Sequence, residues 1–176
     1  HYQCAKFFSA DIVSKIPSDT PFNDPEIIDL VFRTYDKGNF DYVSNLHPPT
    51  FPGGFDCEVF SYAALEESWK NAKKGYEREH TTGYIWDNPD KFKIGNVSSK
   101  NGIDYSMKFR CQVDYIEDLD VAKRIFNELY LTCQSQYIDY NKVKNMMLDN
   151  EWINPMHTNV PGPDGKFGFG GSCFPK

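Results

Sequence analysis

Two aspartates and one cysteine are the residues of this chain best placed to do chemistry. Asp19 follows the apolar run "ADIVSKI" (10–16), and Asp114 directly follows "YSMKFRCQV" (105–113). In a parallel α/β sheet, ligands bind beyond the carboxyl ends of the strands. Two carboxylates on neighbouring strand ends could therefore hold Mg²⁺, which usually takes one or two carboxylates plus substrate phosphates. A structural reading competes with this one, since Asp114-x-x-Glu117 also fits a helix cap and Asp19 a turn. The cysteine is Cys173, in "VPGPDGKFGFGGSCFPK" (160–176), where five glycines let backbone amides approach a ligand closely. Its alternative is an exposed thiol with no catalytic part.

The elements that must position these groups are legible as alternating strands and helices. "ADIVSKI" reads as a short buried strand. Asp24-Pro25-Glu26 then opens a helix with a cap, a proline at its first position and an acid in its first turn. Ile28, Val31, Phe32 and Tyr35 fall on one face of it. "FDYVSNL" (40–46) and "CEVFS" (57–61) read as strands around a Pro/Gly loop. Ser61 is placed to cap the next helix, with Leu65 and Trp69 pointing inward. Tyr76 to Trp86 reads as one helix, "FKIGNV" as a strand and 105–113 as a stronger strand. "DYIEDLDVAKRIFNELY" follows as a helix with Leu119, Ala122, Ile125, Phe126 and Leu129 on its core face. This order predicts the α/β class with a mostly parallel sheet, then a C-terminal helix at 141–148 and a glycine-rich tail. The character of the sequence shifts near residues 130–138, where a boundary is expected.

Composition narrows the partners. The chain has 176 residues, of which 40% are hydrophobic, enough for one domain with a sizeable core. A net charge of -6 argues against a nucleic-acid partner. No run of 18 apolar residues is present, so no membrane-spanning helix is expected. Five cysteines without CxxC spacing argue for thiols in a reducing cytoplasm.

Four ordered blocks, "ADIVSKIPSDTPFNDPEIIDLV", "DYVSNLHPPTFPGGFDCEVFS", "YEREHTTGYI" and "CQVDYIEDLDVAKRIF", resemble the sugar-acid cytidylyltransferases over about residues 1–130. That family includes the CMP-KDO synthetases, the acylneuraminate cytidylyltransferases and the spore-coat polysaccharide enzymes. The resemblance implies a nucleotide-diphospho-sugar transferase fold and transfer of CMP from CTP to a sugar acid. It implies that Asp19 of "SDTP" and Asp114 of the "VDxxED" block bind Mg²⁺. It also implies that Gly54, Asp56 and Glu58 line the sugar pocket, and that Glu77, Arg78, Glu79 and His80 form the sugar-side helix. For that helix a solvated charged face is the plain alternative. A homodimer is one assembly open to it. The family's glycine- and arginine-rich turn, which cradles the CTP phosphates, has no counterpart here, so weak turnover by the chain alone is expected.

From about Ile138 to Lys176 the sequence resembles a second family, the UDP-glucose dehydrogenases, through its "GFGGSCFPK" loop. Under that resemblance Cys173 is the nucleophile of an NAD-linked oxidation, and Phe169, Gly170 and Gly171 wrap a nucleotide sugar. No GxGxxG motif follows any strand, and the base and oxyanion partners lack counterparts. The expectation is a mosaic of two truncated sugar-nucleotide segments, 1–130 and 131–176. A non-catalytic sugar-nucleotide binding module is the remaining alternative.

Overall fold

The computed structural model describes residues 1–133, with side chains described through Glu128. The elements are α1 (Tyr2–Phe7), β1 (Ile12–Lys15), α2 (Pro25–Lys37), β2 (Tyr42–Ser44), β3 (Glu58–Ser61), α3 (Tyr62–Asn71), α4 (Gly75–Glu79), α5 (Gly83–Trp86), β4 (Ile94–Asn96) and α6 (Ile116–Cys133). The class is mixed α/β, as the sequence predicts. Two compact units divide the chain: residues 1–16, 29–48 and 57–97 form one, and residues 17–28, 49–56 and 98 onward form the other. No helix among the described residues is long and apolar enough to cross a membrane.

The first unit holds a sheet of order β1-β3-β2-β4. β3 pairs antiparallel with β1, Val13 opposite Phe60, and antiparallel with β2, Val43 opposite Val59. Among the described strands only β2 and β4 run parallel, with Val43 opposite Gly95. The expectation of a mostly parallel sheet is therefore corrected for the described strands. Parallel neighbours need a long crossover, whereas β2 and β3 are joined by a Pro/Gly loop that carries no helix. The strand predicted at 10–16 forms, but at an edge, and Ile12 stays exposed where a buried strand was expected. The core gathers Ala5, Tyr42, Phe60, Ala64, Leu65, Tyr84, Ile85 and Phe92. Burying each of the larger of these side chains contributes on the order of 1.5–3 kcal/mol.

Capping sets several boundaries as expected. Asp24 Oδ1 accepts from the Glu26 amide at 2.7 Å, opening α2. The Ser61 hydroxyl accepts from the Ala64 amide at 3.0 Å, opening α3. Each such cap is worth about 1 kcal/mol. On α3, Leu65 is buried, but Trp69 is 44% exposed and does not point inward. Its ring instead stacks on Tyr2 at 5.3 Å and carries the Arg78 guanidinium at 4.4 Å. The single helix expected at 76–86 is split into α4 and α5. His80 takes an extended backbone conformation there, and the Thr82 hydroxyl is committed to a tertiary partner, Glu58.

In the second unit the strand predicted at 105–113 does not form. Asp104 Oδ1 accepts from the Ser106 amide and hydroxyl, at 2.8 and 2.6 Å, and Lys108 N–H turns back to the Tyr105 carbonyl. This local turn competes with extension. What remains is an isolated parallel bridge between Gly53 and Arg110. α6 forms where expected, but only part of its predicted face is covered. Ala122 and Ile125 are buried, while Leu119 and Phe126 are exposed. The Leu129 side chain, the 141–148 helix and the 160–176 tail lie outside the described residues.

Candidate functional site

The segment 110–114 organises the second unit's polar residues by taking backbone bonds from two loops. Cys111 N–H donates to the Gly53 carbonyl at 2.6 Å, and Val113 N–H donates to the Asp19 carbonyl at 2.8 Å. Asp19 and Asp114 are thereby set one residue apart across a backbone hydrogen bond. Asp114 follows an extended segment and not the ladder strand that the sequence predicts. In the Asp19 turn the bonds are made by its neighbours, with Thr20 Oγ1 donating to Pro17 O at 2.6 Å. The Asp19 side chain itself makes no hydrogen bond or ion pair among the described residues.

Asp114 is held firmly. Arg110 Nη1 and Gln112 Nε2 both donate to its Oδ2, the amide at 2.9 Å. The other arm of the Arg110 fork reaches Asp118, at 2.9 and 2.8 Å from its two oxygens. Asp118 Oδ2 in turn accepts from the backbone amides of Asp114 and Tyr115, both at 2.9 Å. The cap expected from Asp114-x-x-Glu117 is thus supplied by Asp118, one residue further on. Arg110, Gln112 and Asp118 were not among the residues singled out from the sequence. The signal for Asp118 was an acid in the first turn of a helix, where it can reach back to the amides before it.

Gly54, expected in the sugar pocket, lies in the same unit with φ +100°. A Cβ there would stand 2.6 Å from the Gln112 nitrogen and 2.7 Å from the Cys111 carbonyl carbon. The loop approaches 111–112 so closely that only glycine fits. Asp56 is half-buried in this unit.

In the first unit, Glu58 is 1% exposed and receives three donors. Lys15 Nζ reaches Oε1 at 2.6 Å, while the Tyr42 and Thr82 hydroxyls reach Oε2 at 2.7 and 2.6 Å. Burial first, and the adjacent Glu58 charge second, push the Tyr42 phenol far above its ordinary range. Beside this cluster the His47 ring lies 4.2 Å from the Trp86 ring, and His47 Nε2 and Trp86 Nε1 are buried with no hydrogen-bond partner among the described residues. Burial lowers the His47 pKa, with Glu58 opposing.

Glu77 is buried at the start of α4. Burial works against its charge, but the Lys74 and Lys73 amides and the Lys74 ammonium hold its carboxyl below the usual range. Arg78 is spent on Trp69, donating to its carbonyl at 3.2 Å as well as covering its ring. Glu79 is exposed, and His80 ends α4. Cys173, Phe169, Gly170 and Gly171 lie outside the described residues.

The Asp19 and Asp114 donor set suits a hard divalent cation that completes its shell with phosphate oxygens and water. Among the described residues no cluster of three or more His, Cys, Asp or Glu is arranged to hold a metal by itself.

Comparison with known proteins identifies the family. A family model described as cytidylyltransferase matches residues 1–148. The chain belongs to the cytidylyltransferase family. An uncharacterized protein of Methanocaldococcus jannaschii is 33% identical over 168 residues, covering 90% of this chain and 62% of that protein. The structure of a cytidylyltransferase from Leptospira borgpetersenii superposes with a TM-score of 0.74 at 28% identity, covering 85% of this chain and 61% of that one. The chain thus spans about three fifths of the length of each. The cytidylyltransferase match also runs across the boundary expected near 130–138. Residues 138–148, read above as the start of a dehydrogenase-like segment, fall inside it.

Proposed function

We propose that this chain acts in CTP-dependent transfer of CMP to a sugar acid, a step that activates the sugar for cell-surface polysaccharide synthesis. The observation that supports the reading is the Val113 N–H to Asp19 carbonyl bond, which brings the Asp19 turn against the segment that carries Asp114 in a member of the cytidylyltransferase family. In such a transfer an oxygen of the sugar acid attacks the α-phosphorus of CTP, and pyrophosphate leaves. A Mg²⁺ ion at these carboxylates would offset the charge that accumulates on the phosphate oxygens. Asp19 and Asp114 supply the anchoring oxygens. Gly54 lets the 49–56 loop lie against the segment that carries Asp114, and Asp56 follows on the same loop as a candidate polar contact for the sugar.

The test is pyrophosphate release from CTP, UTP or ATP with a panel of sugar acids. We expect slow, Mg²⁺-dependent release with CTP, reduced about a hundredfold or more in Asp19→Asn and in Asp114→Asn, because each removes an anchoring oxygen. Undiminished release by Asp114→Asn, or release from UTP in place of CTP, would overturn the assignment.

A further inference from the structure

We propose that Arg110 is a positioning residue for the cation centre, fixing the Asp114 carboxylate through a guanidinium bridge to Asp118. The inference rests on the reading of Asp19 and Asp114 as cation ligands. It adds residues that touch neither the cation nor the substrate.

The geometry forms a closed triangle. Arg110 grips the side chain of Asp114 with one arm of its fork and the side chain of Asp118 with the other. Asp118 holds the backbone amide of Asp114. The same aspartate thus sets where Asp114 starts and, through Arg110, where its carboxylate ends. The side chains are withdrawn from solvent, with relative exposures of 17%, 13% and 5% for Arg110, Asp114 and Asp118. A planar fork loses little freedom in making such a bridge, and two carboxylates this near one another need a cation between them. The Tyr115 ring lies 5.4 Å below the guanidinium and limits its movement. Gln112 adds a second donor to the same oxygen, Asp114 Oδ2.

Charge supports the same role. One guanidinium against Asp19, Asp114 and Asp118 leaves two negative charges in excess, which matches a divalent cation. Without Arg110, mutual repulsion of Asp114 and Asp118 would turn the Asp114 carboxylate away from its present direction. Residues that orient metal ligands from behind typically change metal affinity ten- to a hundredfold when replaced. A lysine keeps the charge but loses the fork, so it separates orientation from neutralisation.

The experiment is Mn²⁺ titration of the purified chain, with free ion read by electron paramagnetic resonance, alongside urea denaturation of each variant. Arg110→Lys is expected to weaken Mn²⁺ binding about tenfold or more. Gln112→Leu, which leaves the ion pairs intact and guards against a folding failure of the first variant, is expected to weaken it about fivefold, the worth of one net hydrogen bond. If both variants bind Mn²⁺ as the parent does, whatever their stability, Arg110 is only a structural brace and the inference is wrong. Asp114→Asn separates this failure from the deeper one. If that variant binds as the parent does, or the parent binds no Mn²⁺, the cation centre itself is wrong.

Discussion

Glu58 shows how one buried carboxylate can tie several elements together. It stands in "CEVFS" among apolar neighbours, and the sequence marks it only as a polar residue in a strand. The fold surrounds it with Lys15 from β1, Tyr42 from β2 and Thr82 from the start of α5. Removing one member of a buried, paired set leaves the others without a partner and costs about 3–5 kcal/mol. Glu58→Ala should therefore lower the unfolding free energy read from urea denaturation by that amount, because two buried hydroxyls lose their acceptor. Glu58→Gln should cost less, since it keeps one carbonyl oxygen. A Glu58→Ala chain as stable as the parent would show that the hydroxyls find other partners. The sequence could name Glu58 but not its three donors, which come from positions 16 to 43 residues away.

At the scale of elements, helix starts were the most legible features and strands the least. Asp24 and Ser61 act within two or three residues of themselves, so their caps can be read locally. The run 105–113 has the composition of a strand, and the burial of Phe109 and Cys111 keeps a strand's alternation. Yet a ladder needs a partner along its whole length, and among the described residues this segment meets short loops, at Thr50, Gly53 and Asp19. The loop at 53–54 depends in turn on glycine. Gly54→Ala should destabilise the protein by about 2–3 kcal/mol, combining a positive φ with a Cβ forced against the 111–112 backbone. Thermal denaturation would measure it. A change below about 0.5 kcal/mol would mean that the loop relaxes freely, and that its contact with 110–114 does not order the Asp114 segment.

At the scale of the whole molecule, burial turns local chemistry into global stability. The folded state holds His47 against Trp86 with a lowered pKa, so the unfolded chain binds its proton more readily. Above about pH 6.5, the ordinary histidine value, both states are neutral and His47 adds no slope. As pH falls from there towards the lowered folded value, stability should decline. Urea titrations at pH 7.5 and 5.5 would show this, and His47→Asn should flatten the difference; an unchanged slope would show that other groups set it.

The sequence by itself determined the α/β class, the caps of α2 and α3 and membership in the cytidylyltransferase family. Each of these rests on short-range pattern or on motifs whose residues keep their order along the chain. Tertiary structure alone decided the antiparallel β1-β3-β2 arrangement, the division of the 76–86 helix and the Arg110 bridge. In each case the deciding partner is an unpaired backbone edge, a buried carboxylate or a guanidinium whose choice depends on which segments meet in space. Hydrogen-bonding groups must be satisfied once they are buried, and which group satisfies them is settled only when the chain is folded.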